Sequence, residues 1–206
     1  ATSRAINVRK MTITGTMRGI VVRQSQGVGL YQNKLTGLRS DGVNIAESQR
    51  VVVEGNSCAN FNPIAALYDA DGTKIVDGDH PDCVQAWSRS TSAPTADVVI
   101  RGNSMTGHMQ GIFFGNHIRD GVGDGGFDRI VVENNYMNIS RPNGIYMTDA
   151  RTVRIVNNEV QTIPGSTMKA GTYVVRSNIK SIRNINIIAC GNIVGAQPTS
   201  FGTQPC

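Results

Sequence analysis

The sequence predicts an all-β fold in which short parallel strands are wound into a solenoid. Aromatic residues make up 5% and charged residues 17% of the 206 residues, whereas Gly occurs 23 times. This composition is typical of a turn-rich β protein. Two short strand-like patterns alternate along most of the chain, and the shortest interval between copies is 23 residues. A period in the low twenties without a helix is typical of a parallel β-solenoid.

The first pattern is an apolar residue, two further residues, Asn, one residue and an apolar residue. Its copies are LYQNKL (30–35), VEGNSC (53–58), IRGNSM (100–105), VENNYM (132–137) and IVNNEV (155–160). Stacked at one corner of the solenoid, the amides of such Asn residues can hydrogen-bond from coil to coil, and Asn tolerates a left-handed turn. We therefore assign a structural role to Asn33, Asn56, Asn103, Asn135 and Asn158.

The second pattern is a short run of alternating apolar residues, usually preceded by Gly. Its copies are GIVVRQ (19–24), GVNIAE (42–47), CVQAWS (83–88), GIFFGN (111–116), GIYMTD (144–149) and GTYVVR (171–176). The leading Gly is expected in a turn with positive φ. Cys83, which replaces it once, is expected to be a small packing residue.

The alternation predicts two outward-facing columns of side chains. The first is Val21, Asn44, Gln85, Phe113, Tyr146 and Tyr173, and the second is Arg23, Ala46, Trp87, Gly115, Thr148 and Val175. Successive coils lie about 4.8 Å apart, so Gln85, Trp87, Phe113 and Tyr146 are predicted to share one surface. Aromatic side chains exposed on a flat sheet suit stacking on sugar rings.

Polar and cationic residues recur at the edges of this strand. The column just before the Gly reads Arg18, Asp41, Asp82, Gln110, Asn143 and Ala170. Two positions earlier lie Arg39, His80, His108 and Arg141, and Lys169 lies directly before Ala170. The other edge offers Arg89, Asn116, His117, Arg119 and Asp149. This recurrence predicts a functional edge, although Asp41 and Asp82 would equally serve as turn caps and the two His as partners of loop backbone.

Two insertions, near 59–79 and 118–128, are predicted to wall a groove over the central coils. Both are rich in Asp, but neither matches the spacing of an EF-hand. No metal site is therefore assigned and no cofactor is required, while calcium binding stays open. The four Cys have no zinc-ligand spacing, and their even number permits disulfides, with Cys190–Cys206 as one candidate.

The net charge of +5 is dispersed, with no basic run longer than Arg9-Lys10. We therefore expect neither a nucleic-acid partner nor, without an apolar run of spanning length, a membrane partner. A positive surface does suit an anionic polymer.

The segments HPDCVQAWSRS (80–90), DVVIRGNSM (97–105) and QGIFFGNH (110–117) resemble secreted bacterial β-helix proteins with an HPDxIQ-type segment. The repeat as a whole is similar to the pectate-lyase-like superfamily. This resemblance implies one right-handed, single-stranded parallel β-helix domain over residues 1–206, with about six to eight coils. It also implies a secreted or extracellular location, with the periplasm, cell surface and virion as alternatives. The start at Ala1, without Met or an obvious capping helix, favours a fragment of a larger parent chain or a homo-oligomer.

The superfamily contains polysaccharide lyases, hydrolases, epimerases, tailspikes and adhesins, so the fold alone does not fix the activity. We expect an enzyme acting on a uronic-acid-containing polysaccharide, as a lyase or C5-epimerase. Arg39, Arg141 or Arg119 would hold the sugar carboxylate, His80 or His108 would be the base, and Tyr146 the acid. The other substrate contacts would be Gln85, Trp87, Arg89, Gln110, Phe113, Asn116, His117 and Asp149.

Two alternatives remain. One is glycoside hydrolysis by Asp41 and Asp82, which as neighbours in one column would lie ~5 Å apart. The other is a non-catalytic carbohydrate-binding or tailspike-like adhesive solenoid.

Overall fold

Residues 5–88, 94–116, 125–168, 173–195 and 201–206 are described by the computed structural model. In these ranges the chain winds through three parallel sheets, and successive coils add one strand to each sheet. The predicted all-β parallel solenoid is confirmed. Among the described residues, no helix is long and apolar enough to cross a membrane.

The three sheets run along the solenoid axis. Sheet 1 consists of β1 (Ile6–Arg9), β4 (Gln26–Tyr31), β7 (Gln49–Glu54), β12 (Thr95–Arg101), β15 (Phe127–Glu133), β18 (Ala150–Val156) and β23 (Ile185–Cys190). Sheet 2 consists of β2 (Thr12–Thr14), β5 (Lys34–Thr36), β8 (Ser57–Ala59), β13 (Ser104–Gly107), β16 (Tyr136–Ile139), β19 (Glu159–Thr162) and β24 (Ile193–Val194). Sheet 3 consists of β3 (Ile20–Arg23), β6 (Val43–Ala46), β11 (Asp82–Ser88), β14 (Gln110–Asn116), β17 (Asn143–Thr148) and β22 (Asn178–Ile182).

Apolar side chains from all three sheets fill the interior. Alternate residues point inward, so that Ile112 and Phe114 of β14 are fully buried while Phe113 between them is partly exposed. The rings of Phe114 and Phe127 meet edge to face, with centroids 5.0 Å apart. Stacking such residues coil upon coil gives the solenoid one continuous core.

The predicted Asn ladder is confirmed and is one residue longer than expected. It consists of Asn33, Asn56, Asn103, Asn135, Asn158 and Asn192. The Nδ2 of each of the first five donates to the Oδ1 of the next Asn at 2.9 to 3.1 Å. The expected left-handed conformation, however, belongs to the preceding residue, for example Gln32, with a φ of 55°. The Asn residues are buried and hydrogen-bond neighbouring coils, while the preceding residues form the left-handed turn.

The expectation that the Gly column needs positive φ is wrong. Gly19, Gly42, Gly111 and Gly144 are absent from the residues with positive φ. A Cβ on Gly19 would instead overlap the carbonyl oxygen of Gly42, and one on Gly111 would overlap that of Gly144. At Gly19 and Gly111 glycine is required because the backbone of the next coil approaches too closely for a side chain, whereas Cys83 fills the same position in the third copy.

Two disulfides cross-link the chain. The candidate pair Cys190–Cys206 is confirmed. Cys83 is bonded to Cys58, so it does more than pack, because the bond joins β8 to β11 across the first insertion. That insertion forms an antiparallel hairpin of β9 (Leu67–Tyr68) and β10 (Lys74–Val76). Of the second insertion, residues 118–124 lie outside the described residues.

The sixth copy of the second pattern was placed wrongly. The strand that pairs with β17 is β22, which sets Ile179 beside Ile145 and Lys180 beside Tyr146. Tyr173 lies instead in β21 (Tyr173–Val174), antiparallel to β20 (Thr167–Met168). Both segments alternate apolar and polar residues, and periodicity alone could not show that a hairpin intervenes. Tyr173 and Val175 therefore leave the two outward columns.

Candidate functional site

The outer face of sheet 3 carries the predicted columns in register through β17. In the first column Val21 pairs with Asn44, Asn44 with Gln85, Gln85 with Phe113, and Phe113 with Tyr146. Lys180 follows in the place predicted for Tyr173. In the second column, Trp87 lies between Ala46 and Gly115.

Three aromatic side chains on successive strands form a surface that we call the aromatic platform: Trp87, Phe113 and Tyr146. The rings of Phe113 and Tyr146 are stacked, with centroids 4.6 Å apart and an interplanar angle of 7°. The Phe113 ring covers Gly115, the register partner of Trp87, where a Cβ would overlap it. The Trp87 indole is held by a hydrogen bond from its Nε1 to Asn44 Oδ1 at 3.1 Å. All three rings are partly exposed.

Amide side chains connect this platform to the carboxylates beneath it. Asn44 Nδ2 donates to Gln85 Oε1 at 3.0 Å and to Asp41 Oδ2 at 3.1 Å. Gln85 Nε2 in turn donates to Asp82 Oδ2 at 3.0 Å. In the column that contains Asp41 and Asp82, Asn143 Nδ2 donates to Gln110 Oε1. Gln85 and Gln110, predicted as substrate contacts, thus already bind other side chains.

Asp41 and Asp82 are buried, with 2% and 0% of their surfaces exposed. Burial raises the pKa of Asp41, although hydrogen bonds from Arg18 and Asn44 oppose this. Burial, followed by the negative charge of Asp41, raises the pKa of Asp82 well above its usual value. One oxygen of each carboxyl group has no hydrogen-bond partner. Carboxyl groups shielded in this way do not reach a glycosidic bond, which argues against the hydrolytic alternative.

A column of Arg and His side chains, which we call the edge column, precedes the strands of sheet 3. It consists of Arg39, His80, His108, Arg141 and Arg176, which lie two residues before Asp41, Asp82, Gln110, Asn143 and Asn178 respectively. Arg176 takes the place predicted for Lys169, which lies outside the described residues. Arg39 forms two hydrogen bonds of 3.1 Å with Asp79 of the first insertion, and this ion pair occupies its guanidinium. His80 is exposed.

The structure brings His108 and Arg141 into direct contact. Arg141 Nη2 lies 3.0 Å from His108 Nε2, and Ser140 Oγ lies 2.8 Å from His108 Nδ1. A guanidinium only donates, so Nε2 accepts, and a neutral imidazole must then carry its proton on Nδ1. Partial burial, and then the charge of Arg141, lower the pKa of His108 and favour this neutral form. Within the described ranges, no other two side chains of the predicted catalytic set are hydrogen-bonded to each other.

The remaining predicted residues have other surroundings. Asp149 receives two hydrogen bonds of 2.6 Å from Arg183 and holds a corner of the solenoid. Arg89, His117, Arg119 and the side chain of Asn116 lie outside the described residues. Sequence reasoning missed Lys180 and Arg176, which a correct alignment of the sixth copy would have found. It also missed Ser140, for which the repeat gives no signal.

The acid-rich insertions use their carboxylates locally. Asp69 Oδ1 accepts the backbone N–H groups of Asp71 and Thr73, and Asp128 pairs with Arg151. Within the described ranges, no group of three or more His, Cys, Asp or Glu side chains could hold a metal ion. Beside the platform there is an open groove of about 270 Å³ between Arg18, Arg23, Asn44 and Trp87.

Comparison with known proteins gives a family and a structural likeness. The family model described as a right-handed beta helix region matches residues 1–184. The crystal structure of the Dettilon tailspike protein is similar at 12% identity with a TM-score of 0.34, covering 94% of this chain and 60% of that chain. This chain therefore spans less than two thirds of the tailspike chain. No curated protein matches.

Proposed function

Because this chain belongs to the right-handed β-helix family, we propose that it uses the exposed face of its solenoid to bind an acidic, uronate-containing polysaccharide. The aromatic platform on three successive strands of sheet 3 carries the proposal. The stacked Phe113–Tyr146 pair and the partly exposed Trp87 indole, on strands about 4.8 Å apart, offer an apolar surface against which consecutive sugars can pack. The rigid sheet presents them without the entropic cost of ordering a loop.

The edge column supports an anionic rather than a neutral polymer. It presents Arg and His side chains on successive coils beside the platform, and the chain carries a net charge of +5. Such a field attracts polyanions and makes their binding dependent on salt. Two disulfides fit an oxidising, extracytoplasmic or virion location, where such polymers occur.

Substitution of the platform tests this function. Trp87→Ala should weaken binding of polygalacturonate or alginate about tenfold, since one lost ring contact is worth about 1 kcal/mol or somewhat more. The matched control is Tyr136→Ala, which removes an aromatic side chain, 40% exposed, from sheet 2. Isothermal titration at two salt concentrations measures both effects. Equal affinity for a neutral galactan, or unchanged affinity in Trp87→Ala, would contradict the proposal.

A second candidate function is elimination or C5 epimerisation of the bound uronate, and the His108–Arg141 pair favours it. A neutral imidazole can take the C5 proton while a guanidinium neutralises the sugar carboxylate. In elimination the C5–H electron pair becomes the C4–C5 double bond, the C4–O bond breaks, and the leaving oxygen takes a proton. In epimerisation a proton returns to C5 from the opposite face.

Ultraviolet absorbance of unsaturated uronate and solvent-deuterium exchange at C5 distinguish these reactions. His108→Ala should abolish either signal, whereas His80→Ala, which removes the other candidate base, should retain it. Binding without either signal on every acidic polymer would instead support the non-catalytic, adhesive solenoid.

A further inference from the structure

Arg141 is a half-buried guanidinium without a carboxylate partner among the described residues. Its Nη2 donates to His108, and its buried Nε has no hydrogen-bond partner. Burial lowers its pKa, and no acidic side chain counters this. Elsewhere in the solenoid, Arg129 and Arg183 each hold a carboxylate with two hydrogen bonds. Arg141 therefore retains the donors with which a guanidinium grips a carboxylate.

The same contact occupies the one lone pair that would make His108 a base. Nε2 accepts from Arg141, and the proton on Nδ1 is held by Ser140 Oγ. This tautomer also excludes a Ser140 nucleophile, because the imidazole donates to the hydroxyl oxygen rather than accepting its proton. In the free protein, His108 is neutral but its accepting nitrogen is not available.

We propose that Arg141 masks His108 in the free protein and that a uronate carboxylate, by drawing the guanidinium into a two-point ion pair, releases the Nε2 lone pair at the moment of binding. A carboxylate is a stronger partner for a guanidinium than an imidazole nitrogen is. The exchange also gives the orphaned Nε a partner. Arg141 would thus be a positioning residue that couples recognition of the acid group to exposure of the base. This inference rests on the proposed binding of uronates.

The groups around His108 determine how its pKa should change when Arg141 releases Nε2. The contacts that set the state of His108 are Ser140 and Arg141, and Arg141 is the charged group that lowers its pKa. Neutralising Arg141 with a carboxylate removes that influence and frees the accepting nitrogen. The pKa of His108 should therefore rise on binding.

Nitrogen-15 NMR of the three His side chains in the full chain tests the mechanism directly. In the free protein we expect the Nδ1–H tautomer of His108. Saturation with galacturonate or mannuronate trisaccharides should raise its pKa by about one pH unit. An uncharged galactose trisaccharide should leave it unchanged. Arg141→Gln should raise the His108 pKa in the free protein and remove its response to uronate.

Arg141→Lys, which keeps a charge but loses the planar fork, provides the second variant should Arg141→Gln not fold. Arg154→Gln removes an exposed charge from β18 of sheet 1, outside the edge column and the aromatic platform, and should leave the His108 tautomer and its uronate response intact. Binding of a uronate with an unmoved His108 signal overturns the masking mechanism and leaves the proposed function standing. Failure of every uronate to bind would contradict the proposed function. Independently, an Nε2–H tautomer of His108 in the free protein would show that Arg141 does not block Nε2.

Discussion

At the residue scale, the buried pair Asp41 and Asp82 limits the conditions under which the solenoid is stable. Each carboxyl group keeps one oxygen without a hydrogen-bond partner. Arg18, at 3.1 Å, supplies a positive charge to Asp41, whereas the hydrogen-bond donors to Asp82 are the neutral amides of Gln85 and Gln110. Two negative charges side by side in the interior are costly, so Asp82 favours its protonated form. We therefore expect the pair to affect the stability of the solenoid, as tested below.

Stability should accordingly fall as the pH rises. The pKa of Asp82 in the folded state is raised above its unfolded value of about 4, so its contribution is complete below that value and is lost as pH rises through the folded pKa. The loss is at most about 1.4 kcal/mol per pH unit in this window. Asp82→Asn mimics the protonated side chain and should flatten the slope.

Urea unfolding of both proteins from pH 4 upward measures this difference. Asp97, whose pKa is lowered by its hydrogen bond with Arg129, acts in the opposite sense and loses its contribution as pH falls below about 4. The two effects therefore occupy separate pH ranges. Equal slopes in the parent and in Asp82→Asn would show that Asp82 ionises without penalty.

At the element scale, the Asn ladder joins neighbouring coils through buried amides. Asn103 donates to Val53 O and to Asn135 Oδ1, both at 2.9 Å. Its own Oδ1 accepts the backbone N–H and the side-chain Nδ2 of Asn56. One side chain thus satisfies polar groups in both neighbouring coils.

Asn103→Ala should cost about 3 kcal/mol or more, because several buried donors and acceptors lose their partners at once. Asn138→Ala, at a half-buried position of β16, is the matched control and should cost less than about 1 kcal/mol. Chemical denaturation of both variants gives the comparison. A similar cost at the two sites would mean that the ladder merely fills space.

The repeat made most of these elements predictable. Register follows from stacking equivalent residues, so the pairing of Phe113 with Tyr146 and the contact between the His108 and Arg141 coils could be anticipated from sequence. The partner of Arg39 could not, because Asp79 belongs to an insertion that has no register with other coils. The sixth strand was misplaced for the same reason, since a hairpin lies between β19 and β22. The contact of Ser140 with His108 could not be anticipated either, because the repeat gives no signal for Ser140.

At the scale of the whole molecule, each coil contacts mainly its neighbours, so stability should be local. The last ladder residue, Asn192, donates its backbone N–H and its side-chain Nδ2 to the carbonyl oxygen of Gly202. At the other ladder positions, the Oδ1 of the next Asn accepts these two hydrogen bonds. The Cys190–Cys206 disulfide ties this covering segment to β23. Apolar side chains of the same coil are exposed, including Ile185 and Ile193. We therefore expect the stability of this coil to depend more on the Cys190–Cys206 disulfide than on buried apolar surface.

Breaking that tie should loosen one end of the solenoid and spare the rest. In Cys190→Ser/Cys206→Ser, hydrogen exchange should accelerate in β23 and β24, whereas β12 and β15, which have strands on both sides, should keep their protection. The matched variant Cys58→Ala/Cys83→Ala removes a buried bond from a central coil and should lower global stability by about 3 kcal/mol. A uniform loss of protection in the first variant would mean that the coils unfold as one unit. In that case binding at the aromatic platform would be coupled to the distant coil, whereas local fraying leaves the platform and the His108–Arg141 pair unchanged.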